Sequence, residues 1–229
     1  MFALLTFVLA SPPPVVPDAI CSVEVQWTAI SACARSGLGL GTGDAAATAV
    51  CIGERDGFAY LLTSAHAAPK GVARDFEFFS KGKYPNSIRS HNRGNQIVRT
   101  EDSDIVLLKL PIGSQPVPTL KLAGPGERPK KFPFAALSVG CPDASAPMCR
   151  EEKVLDKKLV RRPGGGMAFF WQVAVPPVGG MSGGPLLDDK GRVIGICSAT
   201  QGGVGYFTHL DEILFAIKQS DHAWLLETR

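Results

Sequence analysis

The run Val178-Gly179-Gly180-Met181-Ser182-Gly183-Gly184-Pro185-Leu186-Leu187 sets one hydroxyl side chain among glycines, just ahead of a proline-led apolar stretch. Glycine tolerates positive φ and lets another chain approach the backbone closely, so a serine in this setting is presented to a partner instead of packed in a core. A nucleophile and the carbonyl it attacks both need that access. Glycine with serine is also ordinary turn chemistry. The rest of the chain has to decide between the two.

The chain has 229 residues, with hydrophobic residues at 45% and charged residues at 20%. All-β barrels commonly use about 200–250 residues as one domain, so this length does not force a division. The high glycine and proline counts, 25 and 18, favour many short strands joined by turns. A net charge of +3 is too small to imply a nucleic-acid partner, and the pairs Lys130-Lys131, Lys157-Lys158 and Arg161-Arg162 read as solvated loop faces.

Residues 2–10 form an apolar run closing in Val8-Leu9-Ala10, too short to span a bilayer. It fits the apolar region of a secretory leader, about 7–15 residues long. Residues 1–20 are therefore expected to be a leader and proline-rich spacer, and the protein to be exported, secreted or periplasmic. Six cysteines, at 21, 33, 51, 141, 149 and 197, contain no Cys-x-x-Cys pair and no histidine at metal spacing. No metal and no cofactor is expected. An exported chain matures in an oxidising compartment. Cys141 and Cys149 flank a short loop with Pro142 and Pro147, so a bridge between them is expected, while the state of Cys197 stays open.

Residues 23–29 alternate apolar Val23, Val25, Trp27 and Ala29 with Glu24, Gln26 and Thr28, the period of a half-buried strand. Residues 48–52 and 58–63 read as a hairpin around Glu54-Arg55-Asp56-Gly57. Its second strand runs into Thr63-Ser64-Ala65-His66, leaving a histidine among small residues just past an apolar strand. A strand is expected at 76–79, and an acidic run then ends in Asp104, which opens the apolar strand Ile105-Val106-Leu107-Leu108-Lys109-Leu110. A carboxylate at the mouth of such a strand is partly buried and needs donors, of which an imidazole N–H is one.

Residues 111–133 carry several prolines and glycines and read as a crossover between two β-rich halves. Strands are expected at 134–140, 154–160, 167–175, 185–187 and 192–197, with Asp188-Asp189-Lys190-Gly191 as a turn. A packed amphipathic helix over 211–227 should close the chain.

His66, Asp104 and Ser182 thus stand in that order at strand edges and in a glycine-rich turn. The set resembles the chymotrypsin-like serine peptidases. Thr63-Ser64-Ala65-His66 is similar to their Thr-Ala-Ala-His, Asp104-Ile105-Val106-Leu107-Leu108-Lys109-Leu110 to their Asp-Ile-Ala-Leu-Leu-Lys, and Gly180-Met181-Ser182-Gly183-Gly184-Pro185 to their Gly-Asp-Ser-Gly-Gly-Pro. The nearer resemblance is to the bacterial HtrA/DegP-like branch, whose serine motif lacks the aspartate and whose Gly-Ser-Gly turn is matched by Gly41-Thr42-Gly43. It covers the peptidase domain, about residues 21–229, without a PDZ domain.

The resemblance implies an all-β fold of two six-stranded antiparallel barrels, chymotrypsin-like, over about 21–115 and 130–229, with the closing helix in the second part. It implies a serine endopeptidase acting on polypeptides, in which Ser182 attacks, His66 carries the proton and Asp104 orients the imidazole, Asp102 being the rival carboxylate. The N–H groups of Gly180 and Ser182 would form the oxyanion hole. Substrate-binding positions carried over are Pro176, Ser198, Ala199 and Thr200. Family members selective for basic residues carry an aspartate six positions before the nucleophile, where this chain has Pro176, so cleavage after small or apolar residues is expected. Met181 occupies the position of the aspartate that pairs with a freed amino terminus in digestive relatives, so no proteolytic switch-on is expected.

Two other readings compete. Gly180-x-Ser182-x-Gly184 also fits the nucleophile elbow of α/β-hydrolases, but that fold needs an acid and then a histidine after the serine, and only Asp211 with His222 is on offer. The second alternative is an exported binding protein that keeps the peptidase fold without turnover.

Overall fold

The computed structural model describes residues 23–37, 46–70, 75–79, 88–90, 95–114, 116–162 and 166–227. The expected leader, residues 1–20, and the Gly41-Thr42-Gly43 turn lie outside them. The first half opens with helix α1 (Val23–Ala32) and continues through β1 (Cys33–Gly37), β2 (Ala46–Arg55), β3 (Phe58–Ser64), β4 (Asp75–Phe78), β5 (Ile88–Ser90), β6 (Asn95–Thr100) and β7 (Ile105–Pro111). In the second half are β8 (Phe134–Gly140), β9 (Met148–Arg161), β10 (Met167–Val173), β11 (Pro185–Leu187), β12 (Val193–Gln201) and β13 (Val204–His209), followed by helix α2 (Leu210–Lys218).

Strands β1 to β7 form one antiparallel sheet in the order β5-β4-β1-β2-β3-β7-β6. The β2–β3 hairpin turns at Asp56 and Gly57, both with positive φ, 53° and 75°. That pair of left-handed residues makes the turn whose twist matches the flanking strands, and Asp-Gly is among the dipeptides best able to adopt it. Strands β8 to β13 close into a barrel in the order β10-β13-β12-β11-β8-β9. The second half is therefore the expected six-stranded barrel, whereas the described residues of the first form a seven-stranded sheet in which no pairing between the edge strands β5 and β6 closes a second barrel.

Three expectations are corrected. Residues 23–32 are helical, not a strand. Ala29 and Ala32, the two fully buried alanines of the segment, are spaced i, i+3 on one helix face, a period that the alternation over 23–29 does not show. The closing helix is also shorter than expected, since α2 ends at Lys218 and a separate 3-10 turn covers Ala223–Leu226.

The third correction concerns the cysteines. Cys141 and Cys149 are not joined to each other, and Cys33, Cys51 and Cys197 are thiols as well. In the β8–β9 register Cys149 sits opposite Val139, two positions from Cys141. Such diagonal neighbours are about 7–8 Å apart, beyond the usual reach of a disulfide, about 4.4–6.8 Å between Cα atoms. Burial pushes the Cys141 and Cys149 thiols up to about 11.

One core joins the halves. Val50, Leu62, Ile105 and Leu107 from the first sheet pack with Leu137, Val139, Leu187, Val193 and Ile196 from the barrel and with Ile213 and Ile217 of α2. Each fully buried side chain of this kind contributes roughly 1.5–3 kcal/mol, so the two halves meet across a rigid seam. Among the described residues no helix is long and apolar enough to cross a membrane.

Candidate active site

The pairing of β3 with β7 brings the first two functional residues together. Ser64 lies opposite Ile105, so the residues just beyond, Ala65-His66 and Asp104, are neighbours at the end of the ladder. The Ala65 N–H donates to the Asp104 carbonyl at 3.1 Å, and the His66 N–H donates to Asp104 Oδ1 at 2.9 Å. His66 Nδ1 lies 2.7 Å from Asp104 Oδ2. On the other side of the ring, Nε2 lies 2.9 Å from Ser182 Oγ. The three side chains singled out in the sequence thus form one hydrogen-bonded line, with a half-exposed imidazole in the middle.

Asp104 is 2% exposed and takes a left-handed φ of 55°, a conformation aspartate tolerates better than most residues. Burial alone pushes its carboxyl up, but bonds from the His66 ring, the Ser198 hydroxyl and the His66 N–H outweigh that and hold it below the usual aspartate value. A carboxylate that stays ionised beside Nδ1 keeps the proton on that nitrogen and leaves Nε2 free to accept from Ser182. Asp102 is exposed and makes no such contact with His66.

The turn that carries Ser182 requires its glycines. Gly180 and Gly183 have φ of 86° and 85°. A Cβ at Gly180 would meet the Cys141 carbonyl at 2.2 Å, and one at Gly183 would meet Thr63 Oγ1 at 2.0 Å. Among the described residues, neither the Gly180 nor the Ser182 N–H donates to a protein acceptor. Two unspent donors beside the Ser182 hydroxyl suit an oxygen that acquires negative charge. Met181 turns inward, 3% exposed, among Ala136, Trp171, Leu186 and Ile194, and so anchors the turn by packing.

The turn is also tied to the other half of the molecule by a residue that sequence reading missed. The Thr48 N–H donates to the Ser182 carbonyl at 2.8 Å. The Thr48 hydroxyl donates to the Gly180 carbonyl at 2.8 Å and accepts from the Cys141 N–H at 2.9 Å. Arg99 was missed as well. It donates to the Ala68 and Ala65 carbonyls at 2.6 and 3.1 Å and to Glu101 at 2.6 Å, bracing the turn that holds His66. Its place on β6 beside β7 gives no sequence signal of that role.

The four expected substrate-binding residues separate in space. Ser198 donates its hydroxyl to Asp104 Oδ2. Ala199 and Thr200 line a cavity of about 570 Å³ with Val160, Arg162, Phe170 and Tyr206. Beyond Ile196, β12 no longer pairs with β11, so among the described residues no strand pairs with that edge of residues 198–201. Pro176 is exposed, and its carbonyl accepts from Arg150 Nη1 at 3.2 Å while the Val175 carbonyl accepts from Nη2 at 3.3 Å.

Arg150 in turn donates to Glu152 Oε1 at 2.7 Å, as does Ser138 Oγ at 2.7 Å. Burial pushes the Glu152 carboxyl up, opposed by these two partners. Beside Pro176 there is thus an arginine–glutamate pair in which both bonds to Glu152 fall on Oε1 and its buried Oε2 has no partner among the described residues. The inward alternation of Glu152 and Val154 on β9 was the available signal for it.

The family described as "Trypsin-like peptidase domain" matches residues 47–196. No curated protein sequence matches the chain. Among solved structures, the active form of the Rv3671c protease from M. tuberculosis is 15% identical, with a TM-score of 0.72 over 96% of this chain and 95% of that one. The HtrA-type protease AlgW, solved with a tripeptide, is 19% identical with a TM-score of 0.65 over 90% of this chain and 64% of that one. A serine endoprotease from Yersinia pestis is 15% identical with a TM-score of 0.64 over 94% and 68%. These likenesses show a shared fold, and the family match spans more than half of the sequence: the chain belongs to the trypsin-like peptidases.

Proposed function

We propose that this protein is a serine endopeptidase in which Ser182, His66 and Asp104 act together on a polypeptide held along the edge of β12 beyond Ile196. The observation that carries the reading is the continuous line from Ser182 Oγ to His66 Nε2 at 2.9 Å and from His66 Nδ1 to Asp104 Oδ2 at 2.7 Å. Ser182 Oγ attacks the carbonyl carbon as its proton passes to Nε2. The new C–O bond moves the carbonyl π electrons onto oxygen, where the Gly180 and Ser182 N–H groups receive the charge. Collapse of this intermediate expels the amine, which takes the proton from Nε2. Water then repeats the sequence and frees the acid. Asp104 keeps the imidazole in one tautomer and stabilises its charged form. Each oxyanion donor is worth about 2.7–4 kcal/mol in reactions of this kind.

The residue on the acyl side of the cleaved bond is small or apolar in this account. The carboxylate of the Pro176 region, Glu152, already has its charge matched by Arg150, although its Oε2 accepts no hydrogen bond among the described residues, and a second buried cation beside that pair would be left without a counter-charge at considerable cost. The enzyme acts after export, without a cofactor. A peptide-library digest tests the reading: the wild type should cut after small or apolar residues, and Ser182→Ala should leave the library intact. Undiminished cutting by Ser182→Ala, or cutting dominated by arginine and lysine, would contradict the corresponding part.

A further inference from the structure

The cavity beside the triad aspartate has a chemical character that the peptidase mechanism does not use. It holds about 570 Å³ and is lined by Val160, Arg161, Arg162, Phe170, Ala199, Thr200, Gln201 and Tyr206. Two of these eight side chains are guanidinium groups and none is acidic. Arg162 lies with Nη2 3.6 Å from Asp104 Oδ2 and its guanidinium over the Phe170 ring, 5.6 Å from the centroid. That ring limits the freedom of the planar fork, so less entropy is lost when it forms hydrogen bonds. The one acid within reach of Arg162 is already committed, since Asp104 Oδ2 serves His66 Nδ1 and Ser198 Oγ. The Arg161 guanidinium is exposed and makes no ion pair among the described residues. Asp102 packs against Gly166, does not line the cavity, and among the described residues forms no ion pair with either arginine.

The position of the cavity relates it to substrate. Ser198 touches Asp104, and the cavity begins at the next residue, Ala199, and runs past Thr200 to Gln201. At about 3.3 Å per strand residue, a polypeptide along this edge would place a side chain two to four residues from the cleaved bond over the cavity. Val160, Phe170 and Ala199 form an apolar floor, while Arg161, Arg162, the Thr200 hydroxyl and the Gln201 amide supply donors at the rim. A side chain with an aliphatic stem and an anionic end satisfies both parts, and the arginine fork matches a carboxylate with two parallel bonds.

We propose that Arg161 and Arg162 form an acidic-residue subsite, in which a substrate glutamate two to four residues from the cleaved bond is recognised. The inference rests on the peptidase reading for the path of the substrate, but its charge preference is measurable without turnover.

The experiment measures binding of fluorescent peptides to Ser182→Ala, each carrying one small apolar residue for the primary pocket. Glutamate is compared with glutamine at each position within four residues on either side. At one position glutamate should bind about tenfold tighter than glutamine, a difference of about 1.4 kcal/mol, and high salt should shrink the ratio. The ratio should fall to near one when Arg161→Gln and Arg162→Gln are added. A ratio near one at every position in Ser182→Ala, or one that survives the arginine changes, overturns the subsite. Turnover of the preferred peptide by the wild type is read separately: its absence alongside an intact glutamate preference would count against the peptidase reading and leave the subsite standing.

Discussion

Thr48 and Gly180 stand 132 positions apart and are joined by a 2.8 Å hydrogen bond from the Thr48 hydroxyl to the Gly180 carbonyl. The bond fixes the peptide plane that follows Gly180 and helps to set the direction of the neighbouring N–H groups. Thr48 is fully buried, so Thr48→Val leaves the Gly180 carbonyl and the Cys141 N–H without partners, a stability cost of roughly 1–3 kcal/mol. Turnover should fall further than stability accounts for, with an upper bound of roughly 10²–10³-fold, the loss for one missing oxyanion donor. Thr48→Ser keeps the hydroxyl and should recover most of the rate. Thermal melts and steady-state kinetics on both variants check this; equal activity in the two would contradict it.

The choice between the two acidic candidates is tested by paired amides. Asp104→Asn should lower turnover by orders of magnitude, about 10⁴-fold by analogy with the chymotrypsin-type triad. Asp102→Asn should change it by no more than a few-fold, because Asp102 is exposed and such surface changes are usually worth within about 0.5 kcal/mol. Ser198→Ala removes a hydrogen bond to the Asp104 carboxylate and should cost roughly tenfold to a hundredfold, the range for bonds to charged groups. Larger damage from Asp102→Asn than from Asp104→Asn would exchange their roles.

These residues differ in how plainly the sequence announces them. His66, Asp104 and Ser182 each sit in a short local pattern, an apolar strand ending in small residues, an acid at a strand mouth, and a serine among glycines, and β3–β7 pairing assembles the first two directly. The β2–β3 hairpin is equally local, because Asp56-Gly57 specifies its own turn. Thr48 has no such mark, since its role depends on two halves of the chain meeting. Ser198 was singled out, but its bond to Asp104 was not legible, because a strand residue's face depends on register. Register also decided against the Cys141–Cys149 bridge, and sheet closure depends on edge pairing that no short window encodes.

Acid sensitivity should trace in part to His209. It is fully buried against Trp171, with ring centroids 4.0 Å apart, and its Nδ1 accepts from the Asp211 N–H at 3.0 Å at the start of α2. Burial first, and then the nearby Lys157, push its pKa down to about 4 from an ordinary 6.5. The folded state therefore binds fewer protons than the unfolded chain in that window. The stability contributed by neutral His209 is complete above pH 6.5 and is lost as the pH falls towards about 4, with a slope of at most about 1.4 kcal/mol per pH unit. His209→Asn keeps a cap acceptor and removes the titration. Urea midpoints compared at the two ends of the window should fall less in His209→Asn than in the wild type. An equal fall would assign the sensitivity elsewhere.

The central claim is that Ser182 is a nucleophile activated by His66. Its most direct measurement is the intact mass of folded protein after exposure to a fluorophosphonate, with peptide mapping of the adduct. The account predicts a single adduct on Ser182 in the wild type and essentially none in His66→Ala. An unlabelled wild type, or labelling that is undiminished in His66→Ala, would contradict it.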